Sequence, residues 1–457
     1  MKLGVMIGYW GFGMTAAAGL EIAQAAERLG YDSLWTAEAY GSDAATPLAW
    51  LAAGTSRIKL GAGIFQIPAR SAAMTAMTAA TIDNLSNGRL ILGLGTSGPQ
   101  VSEGFHGVRF GKQLQRTREY MAVVRLALEH QKVEFHGETI DLPLPDGPGK
   151  ALKLSIRPIQ QRIPIYLAAM GPRNVALAGE IADGWLPVFF SPEHTSALRE
   201  PLEEGAHRAG RSLDGFQVCP TVNVMITDDI ESARNAMRPM LALYIGGMGS
   251  REQNFYNRLI SSYGFEREAR QVQDLYLEGR RVEAMEALPD EMIDKVSIAG
   301  PPAKAKEKIR EFRDAGVDTL VVAGMAVDTA DRIEQMRLVA ELAQEVESAS
   351  TTLGHLAGTE EAIRWGFQAN ANPPQLRTHD RFGHRIDEVE FHPAWHQLMQ
   401  VAIRHGLHAL PWRMPRPGAH AARAAAFYIW SQVEGGHGCP VSMTYAVVPA
   451  LRKNPQL

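Results

Sequence analysis

"RLILGLGTSG" (89–98) decides between two folds. It joins an apolar run to a glycine-rich turn and matches G-x-G-x-x-G at Gly93–Gly98, the pattern with which a dinucleotide fold opens its first β-α-β unit. Here three β-α units precede it, and no helix follows the turn at once. The same residues therefore read better as the fourth strand of a longer alternation. Their glycines either expose N–H groups to a phosphate or make a turn needing positive φ at Gly95 and Gly98.

Working outward, the alternation of short apolar runs with helical periodicity extends from residue 2 to about 345. Eight strands are expected: "KLGVMIGY", "SLWTAE", "IKLGAGIF", "RLILGLG", "IPIYLAA", "GWLPVFF", "FQVCPTVNVMI" and "TLVVAG". Several are apolar on both faces, which suits strands covered outside by helices and filled inside by layered side chains. The fold class is α/β, a closed (β/α)8 TIM barrel. Residues 133–154 read as a hairpin excursion, and 228–295 as an inserted helical segment beside the barrel mouth. The barrel is expected to end near residue 348. A mainly helical fragment, 353–457, should follow, because nine of fourteen histidines and four of eight tryptophans fall after residue 350.

Composition narrows the functional classes. A formal net charge of -4 gives no general reason for nucleic acid or an anionic membrane as partner. Cys219 and Cys439 are the only cysteines, too few for a disulfide framework or a thiolate zinc site. No stretch approaches the roughly 18 uninterrupted apolar residues of a membrane span. A cytoplasmic protein acting on a small molecule, forming a homo-oligomer, is expected.

In a barrel, the residues that close each strand carry the chemistry. "SLWTAEAYGSDA" (33–44) puts Glu38 there, as general base, ring partner or rim salt bridge. "IKLGAGIFQIPAR" (58–70) adds Gly63 beside Ile64, where backbone can approach a flat ligand. The loop after the fourth strand supplies Gly95, Thr96, Ser97 and Gly98, then Glu103 and His106. "GPRN" adds Gly171, Pro172, Arg173 and Asn174, proline leaving N–H groups free beside a fixed positive charge.

The segments "WTAEAYGSDAATPLAWLAAGTSRIKLGAGI", "TAATIDNLSNGRLILGLGTSGPQVSEGFHG" and "IPIYLAAMGPRNVALAGEIADGWLPVFFSPE" resemble the luciferase-like monooxygenase superfamily, in its branch using the deazaflavin coenzyme F420. The resemblance implies a hydride-transferring oxidoreductase with the coenzyme at the carboxyl-end mouth. Its phosphate would lie at Gly95–Gly98 and Gly171–Asn174, and a non-prolyl cis peptide would fall near Gly63–Ile64. Arg70, Lys112, Arg116 and Arg173 are candidates for the anionic tail. Many relatives carry a histidine directly after the acid of strand two, whereas Ala39 follows Glu38 here. Acid–base work then falls to Glu38, or to Glu103 and His106. An FMN-dependent monooxygenase is the alternative, and a non-catalytic cofactor-binding scaffold the alternative of another class.

The stretch "THDRFGHRIDEVEFHPAWHQLM" (378–399) holds four histidines among acids, two of them, His392 and His396, at i, i+4. No H-E-x-x-H glutamate accompanies them, and no metal site is expected. With "HGLHALPWR" and "GAHAARAAAFYIWSQVEGGHGCPVSMTYAVVPALR", the stretch resembles the N-terminal helical portion of AidB-like acyl-CoA dehydrogenases. The resemblance carries no active site here, and it implies tail helices with an exposed apolar face. A gene fusion or truncated reading frame is the expected origin.

Overall fold

The computed structural model describes residues 1–10, 14–413 and 419–453. They form two compact units, Met1–Leu342 and Ala343–Leu457. The division falls inside the helix Thr329–Ala357, earlier than the compositional change near residue 350 suggests. Neither glycine nor proline interrupts that helix before Gly354, so nothing local stops it at 348.

The first unit is built on parallel strands β1 (Lys2–Gly8), β2 (Ser33–Thr36), β3 (Lys59–Ala62), β4 (Phe65–Gln66) and β5 (Leu90–Gly95). The short antiparallel hairpin of β6 (Phe135–His136) and β7 (Asp141–Leu142) interrupts them, within the expected excursion. Then follow β8 (Ile165–Leu167), β9 (Gly184–Trp185), β10 (Gln217–Val218), β11 (Thr221–Ile226), β12 (Ser297–Gly300) and β13 (Thr319–Gly324). Neighbours in the sheet run β10-β9-β8-β5-β3-β2-β1-β13-β11-β12.

The ring closes through residues 217–226. Pro220 has no N–H, so β10 and β11 are one strand with a gap in its ladder at Cys219–Pro220. Towards β9, Cys219 N donates to Trp185 O (2.9 Å) and Thr221 N to Pro187 O (3.1 Å). Towards β13, Val218 O accepts from Asp318 N and Pro220 O from Val321 N, both at 3.0 Å. With β1 paired to both β13 and β2, all eight expected strands form a closed parallel barrel. The strand β12, which the sequence reading does not contain, is a ninth parallel strand laid along Asn223–Ile226 of β11.

Inside the barrel, Trp35, Ile91, Tyr166, Leu186, Cys219 and Val321 form a floor. Burial pushes the Cys219 thiol up to about 12, so it stays protonated. Residues between β11 and β12 form helices, beginning with Ile230–Ala242, around a separate core that includes Met237, Leu241, Ile260 and Val272.

The second unit has its own core, in which Leu398, Val401, Leu407 and Val441 surround Trp430. Trp430 Nε1 donates to Leu398 O at 3.2 Å, satisfying the indole inside that core. The helices Glu360–Ala371 and Pro393–Arg404 are joined by the antiparallel hairpin β14 (Gln375–His379) and β15 (Arg385–Glu390), and the helices Ala419–Ser431 and Gly438–Arg452 follow. Phe367, Tyr428 and Met443 remain exposed. Among the described residues, no helix is long and apolar enough to cross a membrane.

Candidate active site

A cavity of about 1470 Å³ opens at the carboxyl ends of the barrel strands. One side is the third strand, where the ladder passes from β3 to β4 across a cis peptide at Gly63–Ile64. Gly63 and Ile64 both line the cavity. The opposing glycines of β5 allow this approach. A Cβ on Gly95 would lie 2.2 Å from Ile64 Cδ1, and one on Gly93 would lie 1.9 Å from the Ala62 carbonyl oxygen. Gly95 is therefore a packing glycine, not a turn with positive φ. The left-handed residue of the loop is Ser97 (φ 57°), while Gly98 is extended at φ −109°. Gly95, Thr96, Ser97 and Gly98 all face the cavity.

The "GPRN" turn is only half in place. Gly171, with φ 75°, swings the chain outward before Pro172 starts the helix Pro172–Ile181. Gly171, Pro172 and Arg173 are exposed and do not line the cavity, whereas Met170 and Asn174 do. Asn174 Nδ2 donates to Met170 O at 3.1 Å, which fixes its amide at the rim. The expected phosphate contact at this turn contracts to Asn174.

Glu38 is at the cavity, but its carboxylate is saturated. Oε2 accepts from Ala44 N (2.9 Å) and Arg70 Nη2 (2.7 Å), and Oε1 accepts from Gln66 N (3.1 Å) and Arg70 Nη1. Burial lowers the Arg70 guanidinium pKa, but the carboxylate outweighs it and the net shift is upward. With four donors on two oxygens, this pair ties the loops after strands two and three together. A general base needs a free lone pair, so the expected role for Glu38 is replaced by a structural one.

Glu103 and His106, unlike Glu38, do not line the cavity. Exposed Glu103 accepts from Phe110 N at 2.8 Å, and His106 packs edge-on against Phe105 at 5.1 Å, its Nε2 buried without a partner. The short helix Pro99–Gly104 instead brings Gly104 and the following Phe105, both exposed, to the edge of the cavity.

Sequence reading missed two polar features. Tyr9, just beyond β1, is hydrogen-bonded to Tyr244 of the inserted segment, and both line the cavity with Tyr40 and Tyr256. Burial, then the neighbouring Tyr244, raises the Tyr9 pKa, so its hydroxyl keeps its proton at neutral pH. Tyr244 meets Tyr256 edge-on at 4.8 Å, and Phe189 lies 5.8 Å from each. The second feature is Asn223 on β11, buried and facing the cavity. A lone amide inside the apolar run "TVNVMI", at the inward spacing of Cys219 and Thr221, is the signal that could have found it.

The histidine-rich stretch is disposed otherwise. His392 is the N-cap of the helix Pro393–Arg404, its Nδ1 accepting from Ala394 N at 3.1 Å. His396 packs against Phe391 and Trp395, and His384 pairs with Asp380 at 3.0 Å. Among the described residues, no three His, Cys, Asp or Glu side chains converge as metal ligands would.

A closed parallel barrel with one deep cavity at its carboxyl-end mouth and a bent third strand defines the class. Residues 1–319 match the luciferase-like monooxygenase family, to which the chain belongs, and residues 322–457 match the N-terminal domain of the adaptive response protein AidB. The chain is 45% identical over 349 residues to the Mycobacterium tuberculosis protein named "Putative coenzyme F420-dependent oxidoreductase Rv3520c", covering 75% of this chain and 99% of that one. The solved coenzyme F420-dependent tetrahydromethanopterin reductase of Methanopyrus kandleri superposes with a TM-score of 0.65 at 27% identity, over 75% of this chain and 98% of its own. The tail is 46% identical over 101 residues to the Escherichia coli protein named "Putative acyl-CoA dehydrogenase AidB", 22% of this chain but only 19% of that relative.

Proposed function

We propose that the barrel unit is an oxidoreductase that uses coenzyme F420 to move a hydride to or from a small organic substrate. The observation that carries this reading is the shelf made by Gly63–Ile64 against the side-chain-free Gly93 and Gly95, in a barrel related over nearly its whole length to a protein named for that coenzyme. Such a shelf fits a flat ring. Ile64 would lie beneath it, and Thr96, Ser97, Gly98 and Asn174 would hold the phosphate. When bound, the deazaflavin supplies a ring carbon that gives or takes a hydride.

The chain's own work is binding, orientation and exclusion of water. Glu38 and Arg70 hold the rim together, and proton transfer falls to the Tyr9–Tyr244 pair. Hydroxyls kept protonated by burial suit donation to an oxygen that gains charge as hydride arrives.

Titration of the purified chain with reduced F420 and reduced FMN, with and without oxygen, tests the reading. Saturable F420 binding without oxygen consumption is expected. Tight FMN binding with oxygen uptake would overturn it in favour of the monooxygenase alternative.

A further inference from the structure

Asn223 lies across the cavity from the ring shelf. In a ring of eight strands the third and seventh are diametrically opposed, and Ile64 follows the third as Asn223 belongs to the seventh. Inward residues of that strand step from Cys219 in the floor, through Thr221, to Asn223 in the cavity wall.

Its amide has nothing local to bond. Its register partners are Ala323 on β13 and Ser297 on β12. Alanine offers no polar side chain, and the Ser297 hydroxyl is already donated to Ile293 O at 2.6 Å. Asn223 is 6% exposed, yet its side chain makes no hydrogen bond to any described residue. Facing the cavity, that amide is left to water or to a ligand atom that completes its pairing.

The surroundings restrict that ligand. Of the charged side chains lining the cavity, Glu38 is paired with Arg70 and Lys112 with Glu138, while Arg332 donates its Nε to the neutral Ala326 carbonyl at 2.8 Å. Neither register partner of Asn223, Ala323 nor Ser297, carries a charge that a substrate carboxylate or phosphate would meet there. The rest of the far wall is aromatic, with Phe189, Tyr244 and Tyr256 mutually edge-on. At about 1470 Å³ the cavity exceeds the 300–1,000 Å³ usual for one ligand, which leaves room for a second molecule above a bound ring.

We infer that Asn223 is the specificity-determining anchor for the oxygen of a neutral substrate, a ketone, aldehyde or alcohol carried on an apolar, ring-sized body that packs against the aromatic wall. The inference rests on the coenzyme reading above, which assigns the opposite shelf to the ring.

The test uses the full chain with F420 bound and three neutral probes, cyclohexanone, 2-cyclohexen-1-one and acetophenone, with cyclohexanecarboxylate as the charged comparator. Binding is read by thermal shift and calorimetry, and coenzyme affinity by fluorescence titration. At least one ketone should bind the parent and the carboxylate should not. Asn223→Leu should weaken that ketone by at least about tenfold while coenzyme affinity stays within about twofold. Should the leucine variant misfold, Asn223→Ser, which shortens the reach but keeps a hydroxyl, should show a partial loss.

Unchanged ketone affinity in the variant overturns the inference, as does preference for the carboxylate or failure of every ketone to bind. Loss of coenzyme instead of ketone would show that the amide serves the ring. If the parent itself binds no F420, the functional proposal fails separately, and the same variants titrated without coenzyme still decide what Asn223 holds.

Discussion

Glu38, after the second strand, and Asn223, on the seventh, both bring a polar side chain to the same cavity, and the two are handled in opposite ways. Glu38 is charged and buried, and every lone pair facing the protein is matched by Arg70 or a backbone N–H. Asn223 is neutral, and its amide faces the cavity without a partner among the described residues. The difference follows from cost. An unpaired buried carboxylate is expensive enough that the fold must complete it, whereas a neutral amide can be left unpaired for a ligand at a tolerable penalty. At this mouth, the conspicuous charge builds the wall and the inconspicuous amide faces the guest.

The sharpest break of that comparison is Glu38→Ala. Removing one partner strands Arg70 beside the cavity with no carboxylate, and loss of about 3–5 kcal/mol in chemical denaturation is expected. Asn223→Leu should change stability by less than about 1 kcal/mol, since it replaces an unsatisfied amide with an apolar side chain of similar size. Equal losses for the two variants would contradict the distinction.

Gly93→Ala probes the shelf itself. The new methyl would press on the Ala62 carbonyl, a backbone atom, so about 3 kcal/mol of destabilisation is expected. Gly95→Ala meets only the tip of Ile64, which can rotate away, and should cost less while narrowing the shelf and weakening coenzyme binding.

Glu119 is a second saturated carboxylate, away from the cavity. It accepts from Thr139 Oγ1 (2.6 Å), Gln115 Nε2 (2.7 Å) and the amides of Glu138, Thr139 and Ile140, anchoring the β6–β7 hairpin. Burial alone would raise its pKa, but these donors win and hold it at about 2. The folded value lies below the ordinary 4.5, so the stabilisation is present above pH 4.5 and is lost as pH falls towards 2. Glu119→Gln should lower stability by about 2 kcal/mol at neutral pH and flatten that acid limb. An unchanged limb would show that other carboxylates control it.

Legibility in the sequence divides along the same line. All eight ring strands could be read because burial on both faces leaves a continuous apolar run, and "RLILGLG" and "TLVVAG" need no other explanation. The four residues of β12 could not, since "SIAG" is too short to show a period between two helical stretches. At the site, the residues facing the cavity on the fourth-strand loop were legible from their glycines. Glu38 was legible in place but not in role, because its saturation depends on Arg70 and on amides from two loops. Asn223 and the Tyr9–Tyr244 pair belong to no local pattern. They acquire meaning only when closure of the ring sets them opposite the shelf and beside each other.

The smallest expected effect concerns the histidine-rich stretch, where residue type suggests a metal and geometry assigns a cap. His392 Nδ1 accepts from Ala394 N, which requires the ring nitrogen to be unprotonated and unligated. His396, one turn on, is exposed and turned towards Phe391 and Trp395. His392→Ala should therefore destabilise the second unit by about 1 kcal/mol, the ordinary loss of an N-cap, and His392→Asn should recover most of it. The double change of His392 and His396 to alanine should leave coenzyme titration unaltered and zinc content, measured by atomic absorption, no different from the parent. Rescue by asparagine discriminates, because an asparagine amide oxygen caps a helix as well as the imidazole does but cannot replace it as a zinc ligand.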